Sequence, residues 1–348
     1  MQDHAQNIVL KQLPPSKERL PLFIVGDVHG CAKELSELIK KAKERTAQFQ
    51  VVLVGDLFTK GPDPVGVFEL IQEHKALCIK GNHDWALWAS LLQASRRGLG
   101  SLPEHTQQTL HLIRYHRRAI FDYLSLLPHA FTSTVSPLVQ RNNWEPEFPL
   151  TIVHAGIDPT QGLAATSERM LLTARFVRWD SQENHKKLVL VPSGYRAEAL
   201  AAQSASGAGS NAPISSPGVS HAPLRHSVVG SFLDTTKLVA SEGGSVPANA
   251  VSTGPVSAGF EKFRWHELHH GPELIVFGHD AKQGLFRKTL PTGRPICVGV
   301  DTGCTYGRSL TGYFPEFDDA IQVASKRTYF DISKNVILVR GIPSRVAV

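Results

Sequence analysis

Val51-Val52-Leu53-Val54-Gly55-Asp56-Leu57-Phe58-Thr59-Lys60-Gly61-Pro62-Asp63 runs four apolar residues into a Gly-Asp pair and then into a Gly-Pro turn. That order reads as a buried strand whose end hands the Asp56 carboxylate to a loop. The same grammar recurs four times. Leu22 to Val25 leads into Gly26-Asp27-Val28-His29-Gly30, Leu77 to Ile79 into Lys80-Gly81-Asn82-His83-Asp84, Thr151 to Val153 into His154-Ala155-Gly156, and Leu274 to Phe277 into Gly278-His279-Asp280. Each buried strand delivers a metal-type donor beside a glycine. Open α/β sheets place ligands outside the carboxyl ends of their strands, so these donors are expected to converge on one crevice, with Asp56 shared between two ions.

Asp27 and His29 are two residues apart, so an extended segment points both side chains the same way. With Asp56 they make a set for one divalent ion; Asp56, Asn82, His154 and His279 make a second. Mixed oxygen and nitrogen donors suit Mn, Fe or Zn better than Ca, and the absence of cysteine ligands argues against a structural zinc. Two such ions, about 3.5–4 Å apart, bind a shared hydroxide and clamp a phosphate for in-line displacement. The chain has 16 histidines, and His266, His269, His270, His111 and His116 read as surface or helix-face residues.

The chain has 348 residues, 42% hydrophobic and 20% charged, ordinary values for a globular protein with a full core. No apolar run approaches the roughly 18 residues of a membrane span. The first 20 residues are polar and mixed in charge, unlike a secretory signal, so a cytoplasmic protein is expected. Cys31, Cys78, Cys297 and Cys304 lack Cys-x-x-Cys spacing and read as packed thiols in a reducing compartment. A net charge of +6 favours phosphate-rich partners without diagnosing nucleic acid.

In chain order, residues 1–20 read as a tail ahead of a single domain over 21–348. Cys31 to Thr46 carries Leu35, Leu38, Ile39 and Ala42 at helical spacing, and a second helix runs from Pro64 to about Glu73. Trp85 to about Leu127 reads as mostly helical with a break near Gly98 to Pro103; Trp85 and Trp88 share a face that suits core packing. Arg114, Arg117 and Arg118 cluster in this insert, as a solvated face or as a phosphate clamp overhanging the site. From about 199 to 259 the composition turns to Ser, Ala, Gly and Pro, which reads as a flexible insertion. Strands resume at Leu274 to Phe277, Cys297 to Val300, Leu310 to Phe314 and Asn335 to Arg340.

The five blocks quoted above resemble, in order and approximate spacing, the signature blocks of the calcineurin-like metallophosphoesterases. The resemblance implies an α/β sandwich of two mixed β-sheets flanked by helices, with two divalent ions (Mn, Fe, Zn, Co or Mg) at the strand ends. Thr59-Lys60-Gly61-Pro62-Asp63 replaces the Asp-Arg-Gly of the Ser/Thr protein phosphatases. Together with Gly81-Asn82-His83-Asp84 and Asp301-Thr302-Gly303-Cys304-Thr305-Tyr306-Gly307, it is similar to the ApaH-like, diadenosine tetraphosphatase branch. That branch acts on dinucleoside polyphosphates, polyphosphate and mRNA caps, which makes a phosphate-rich small molecule or polymer, capped RNA included, the expected partner, and no membrane.

The resemblance assigns His83 as the acid that protonates the leaving group and Lys60 as the phosphate-holding cation, a mobile point charge where the protein phosphatases have a planar arginine fork. Thr59 stands where their aspartate orients the histidine, so Asp84 or another group would have to replace that carboxylate. A weaker acid suits an anhydride, whose leaving phosphate is weakly basic, better than a serine ester. Tyr306 either approaches the substrate from the final loop or is a buried structural tyrosine. The expected activity is therefore phosphoanhydride hydrolysis by a metal-activated hydroxide. A protein Ser/Thr phosphatase and a catalytically silent metal-binding scaffold are the rivals.

Overall fold

The computed structural model describes residues 8–97, 102–139, 143–180, 188–191 and 261–338. The expected insertion at about 199–259 lies outside them, as do residues 339–340 of the last expected strand. Two sheets carry the fold. One orders its strands β14-β13-β2-β3-β4, with β2 (Leu22–Val25), β3 (Gln50–Leu53) and β4 (Leu77–Cys78) parallel, and β13 (Ser309–Phe314) and β14 (Asp319–Ala324) antiparallel on the far side. The other orders β1-β5-β6-β10-β12-β11. In it β6 (Phe148–Val153), β10 (Leu274–Phe277) and β12 (Pro295–Gly299) are parallel, and β5 (Ala130–Val135) and β11 (Phe286–Thr289) run antiparallel beside them.

The side-chain period of two decides which residues face which layer. In β2, Leu22 and Ile24 point into a core shared with Ile152, Leu274, Val276 and Val298 of the opposite sheet. Phe23 and Val25 point the other way, onto Leu35, Leu38 and Ile39 of helix α1 (Ala32–Arg45). Both faces of the strand are therefore covered, which is why these runs are continuously apolar and not alternating. The outer face of the second sheet, with Ile275, Phe277 and Cys297, is closed by Trp265 and by Met170 and Leu171 of α6 (Glu168–Thr173). Each fully buried Leu, Ile or Phe in these layers contributes about 1.5–3 kcal/mol relative to exposure.

Helix α2 (Pro64–Glu73) matches the expected bounds because its start is written locally: Pro64 takes the first turn and the Asp63 carboxylate accepts the Gly66 amide at 2.9 Å. The helical insert is α3 (Asn82–Arg97), α4 (Glu104–Leu112) and α5 (Arg117–Ser125), with Trp88 stacked on Phe121. Helix α3 starts at Asn82, three residues before the expected Trp85, because Asp84 caps its first turn by accepting the Gly81 amide at 2.9 Å. None of the described helices is long and apolar enough to cross a membrane.

Two expectations need correction. The segment read as a tail contributes an edge strand, β1 (Leu10–Gln12), parallel to β5. Arg19 then ties it to both sheets, bonding Glu316 Oε1 at 2.7 Å and the Thr134 carbonyl at 3.0 Å. His266 and His269 are buried; His266 lies against Phe277 and Phe286, where an imidazole with one partnered nitrogen packs like an aromatic. All four cysteines are buried and free, as their spacing suggested.

Candidate metal centre

Parallel strands β2, β3 and β4 of one sheet and β6, β10 and β12 of the other all end at one edge of the sandwich. Their loops bring Asp27, His29, Asp56, Asn82, His154 and His279 together. Four residues at this edge, His29, Asp56, Lys60 and His279, hold left-handed backbone angles (φ 46, 53, 65 and 68) although none is glycine. Non-glycine residues in that region are strained, and the surrounding packing is what holds them there. Glycines supply the room: a Cβ on Gly278 would overlap the Asp27 carboxylate, and one on Gly81 would overlap that of Asp56.

Asp56 is the centre of the cluster. Its Oδ2 lies 3.5 Å from His29 Nε2 and its Oδ1 3.5 Å from His154 Nε2, while Oδ1 also accepts the His83 amide at 2.9 Å. Asn82 Oδ1 lies 3.0 Å from His154 Nε2 and 3.1 Å from His279 Nδ1. The remaining ring nitrogen of His154 faces the Val54 carbonyl at 2.8 Å, which fixes its tautomer and leaves Nε2 as a lone-pair donor. Asp27 turns to the His279 amide, at 3.1 and 3.3 Å from its two oxygens, and to Asp301, with which it shares a hydrogen bond. The His279 loop is tied down by Arg175, which donates to the His279 carbonyl at 2.9 Å, and by the ion pair of Arg264 with Asp280 at 2.5 Å.

These donors fit a divalent cation. Burial, followed by the charges of Asp301 and Asp56, pushes the Asp27 carboxyl well above the usual range, and burial first raises Asp301 as well. Burial holds the His29 and His279 imidazoles far below their usual range, hence neutral, with lone pairs to offer. His279 turns Nδ1 toward the cluster, and the Thr173 backbone bonds its ring. Crowded acid groups and neutral imidazoles form the environment a bound cation would relieve. His29, Asp56 and His83 offer donor atoms within 4.8 Å of one another, and so do Asp56, His154 and His279.

Beside the cluster, Lys60 Nζ stands 2.7 Å from His83 Nε2 and donates to Tyr306 Oη at 3.0 Å. An ammonium has only donors, so His83 Nε2 accepts and the imidazole proton sits on Nδ1. Burial and then the Lys60 charge hold His83 neutral. Phe330 lies under both, with Lys60 Nζ 5.8 Å from its ring centre and the Tyr306 ring 6.2 Å away.

Thr59 Oγ1 reaches His29 Nδ1 at 3.3 Å, so the side chain at the position that lacks an aspartate lies against His29 and not His83. Asp84 does not replace that aspartate. Its carboxylate accepts the amides of Asp56 (2.7 Å), Leu57 (2.8 Å) and Gly81 (2.9 Å), which pins the β3 loop to the start of α3 and leaves no oxygen aimed at His83. Burial, then the neighbouring Asp56 charge, pushes Asp84 up to about 8 against those three donors.

The arginines of the insert are not brought to the site. Arg117 donates to the Leu110 carbonyl at 3.0 and 3.1 Å, Arg118 pairs with Asp122 at 2.8 Å, and Arg114 lies over Tyr115. Two groups given no site role from the sequence stand near the centre. Asp301 follows β12 by the same strand-then-donor grammar that found the other candidate donors, so extending that grammar to a sixth strand finds it. His105, in the first turn of α4, is buried with Nδ1 unpartnered, and the Lys60 charge acts on it; no local pattern in the sequence marks it.

A sequence model of calcineurin-like phosphoesterases matches residues 20–283. The chain is 25% identical over 296 residues to the symmetrical bis(5'-nucleosyl)-tetraphosphatase of Ectopseudomonas mendocina, covering 84% of this chain and 94% of that one. The Coxiella burnetii protein of the same description is 31% identical over 139 residues, 39% of this chain and 42% of its own. A crystal structure described as a diadenosine tetraphosphatase superposes with a TM-score of 0.56 at 21% identity, covering 91% of this chain and 98% of the other, which shows a shared fold.

Proposed function

The chain belongs to the calcineurin-like phosphoesterase family and is a hydrolase, and from that premise we propose that it cleaves phosphoanhydride bonds of nucleoside or inorganic polyphosphates. Asp27, His29 and Asp56 would hold one divalent ion, and Asp56, Asn82, His154 and His279 a second. Bound there, the pair would supply an activated water and Lewis acidity toward the phosphoryl oxygens. The chain's own residues do the rest. Lys60 uses two of its three protons on His83 and Tyr306, and the third points its charge at a phosphoryl oxygen. Tyr306 holds Lys60 in place, and His83 would take a proton from solvent at Nε2 and give it to the phosphate oxygen that departs.

The contact of Lys60 with His83 carries the choice of substrate class. An imidazole kept neutral by burial and by a cation at 2.7 Å is a poor acid for expelling a serine alkoxide. It is adequate for a phosphate leaving group, which needs little protonation. The similarity to symmetrical bis(5'-nucleosyl)-tetraphosphatases supports the same reading.

The test uses metal-stripped protein reloaded with Mn, Co, Zn or Mg. Diadenosine tetraphosphate, inorganic polyphosphate, capped RNA and a phosphothreonine peptide are compared as substrates, with Asp56→Asn as control. Metal-dependent release from an anhydride, lost in Asp56→Asn, is the expected result. Turnover of the phosphopeptide alone would overturn the reading in favour of a protein phosphatase, and no turnover at all in favour of a scaffold.

A further inference from the structure

A second group of metal-type donors lies apart from the catalytic set, on the helix-covered side of the first sheet. Cys31 closes the loop after β2 at the head of α1, Glu34 is one turn further along the same helix face, and Cys304 comes from the loop after β12. The two sulfurs and one carboxylate oxygen of Glu34 lie within 4.8 Å of one another. All three side chains are closed off from solvent.

Glu34 makes this more than a chance meeting of thiols. Its Oε1 accepts the Tyr329 hydroxyl at 2.8 Å and the Lys326 amide at 2.9 Å, so the carboxylate is held in one orientation. Its Oε2 is buried with no hydrogen-bond partner. Among the described residues no lysine, arginine or histidine forms an ion pair with it; Lys326, whose amide bonds it, spends its ammonium on Glu37. A fixed buried carboxylate with an unpaired oxygen, beside two sulfurs and in no ion pair among the described residues, is an environment that a bound cation completes.

We propose that Cys31, Cys304 and Glu34 form a second, thiolate-containing cation site that takes a thiophilic divalent ion such as zinc. Two sulfurs select zinc over magnesium, calcium or manganese, whereas the catalytic centre offers only oxygen and nitrogen. Tyr329 and the Lys326 amide orient the carboxylate as outer-shell partners. The ion would tie together two loops of the catalytic centre, since Cys31 is two residues past His29 and Cys304 two before Tyr306. The role is structural, and it stands whether or not the anhydride reading of the catalytic centre does.

The full chain, reduced and stripped of metal, is loaded with cobalt(II) as a spectroscopic substitute and read in the near ultraviolet for thiolate-to-cobalt charge transfer. The band is expected in the wild type and also in Asp56→Asn, where the catalytic set is impaired, and it should vanish in Cys31→Ser and in Cys304→Ser with a loss of one metal equivalent per chain. If the serine variants do not fold, zinc K-edge absorption of the wild type decides, with sulfur expected at about 2.3 Å. A wild type whose thiols titrate as reduced but which shows no sulfur–metal signal would overturn the site. So would a charge-transfer band that survives both serine changes, or isolation of the two cysteines as a disulfide that still binds the same metal complement. Loss of phosphohydrolase activity in Asp56→Asn with the band intact separates the two sites.

Discussion

Lys60 and Asp84 carry the residue-scale arguments. Lys60→Gln removes the ammonium that bonds His83 and Tyr306, and kcat/KM on an anhydride should fall by about 10²–10³-fold, the usual loss for one charge-stabilising donor. Lys60→Arg should recover only part of it, because a planar fork cannot place one donor on each of two ring-borne partners and a third on phosphate. Steady-state kinetics that left kcat/KM unchanged in Lys60→Gln would remove Lys60 from the mechanism. Asp84→Asn swaps an oxygen that accepts backbone amides for a donor facing them. Stability should drop by about 1–3 kcal/mol, read from the denaturant midpoint, while the pH–rate profile keeps its shape. An unchanged midpoint with one ionisation missing from the profile would instead restore Asp84 as the partner of His83. Its neighbours in sequence suggested that role; the amides of Asp56, Leu57 and Gly81 claimed the carboxylate because β3 and α3 bring their ends together.

At the scale of elements, the strand-to-loop grammar was readable because burial on both faces forces continuous apolar runs and ligand loops need glycine beside the donor. The helices α1 and α2 were readable for the corresponding reason, a 3.6-residue period and a local proline start. What the pattern could not give was how closely two loops approach. A Cβ on Gly61 would overlap the His29 carbonyl, so the β3–α2 loop lies directly on the β2–α1 loop. Gly61→Ala should therefore move His29, whose backbone is already at φ 46, and weaken metal binding by about 10–100-fold in a chelator competition, the loss typical when a ligand's support is removed. Retained affinity would mean the loops can part without cost to the site. The short pairing of β1 with β5 was invisible for a related reason: Leu10–Gln12 has exposed side chains throughout, so no hydrophobic period announces it.

For the whole molecule, Arg19 and the buried histidines give the tests. Arg19 joins the amino-terminal segment to both sheets and meets Glu316, whose side chain is 1% exposed and also accepts the Leu22 amide. Arg19→Met strands that carboxylate and should cost about 3–5 kcal/mol, with much of the loss recovered in the double variant carrying Glu316→Gln. Equal melting of the single and double variants would refute the coupling. Burial holds His105 and His266 down to about 4, against an ordinary value of 6.5. Between those values the unfolded chain binds more protons than the folded one, so stability is present above about pH 6.5 and falls as pH drops toward 4. Denaturant midpoints of metal-free protein across that range should show the slope, and His266→Gln should make it shallower; a slope unmoved by the substitution would mean that His266 titrates normally. The sequence by itself determined the buried strands, the donor-type residues at their ends and the first two helices, because each is written in residues within a few positions of one another. Only the tertiary structure decided that Lys60 meets His83 and Tyr306, that Asp84 serves the backbone, that the insert's arginines stay away, and that Cys31 and Glu34 face Cys304. Apart from the arginines, whose partners Leu110 and Asp122 are near in the chain, those contacts join residues far apart, and the order of strands in two packed sheets, not any local period, brings them within bonding distance.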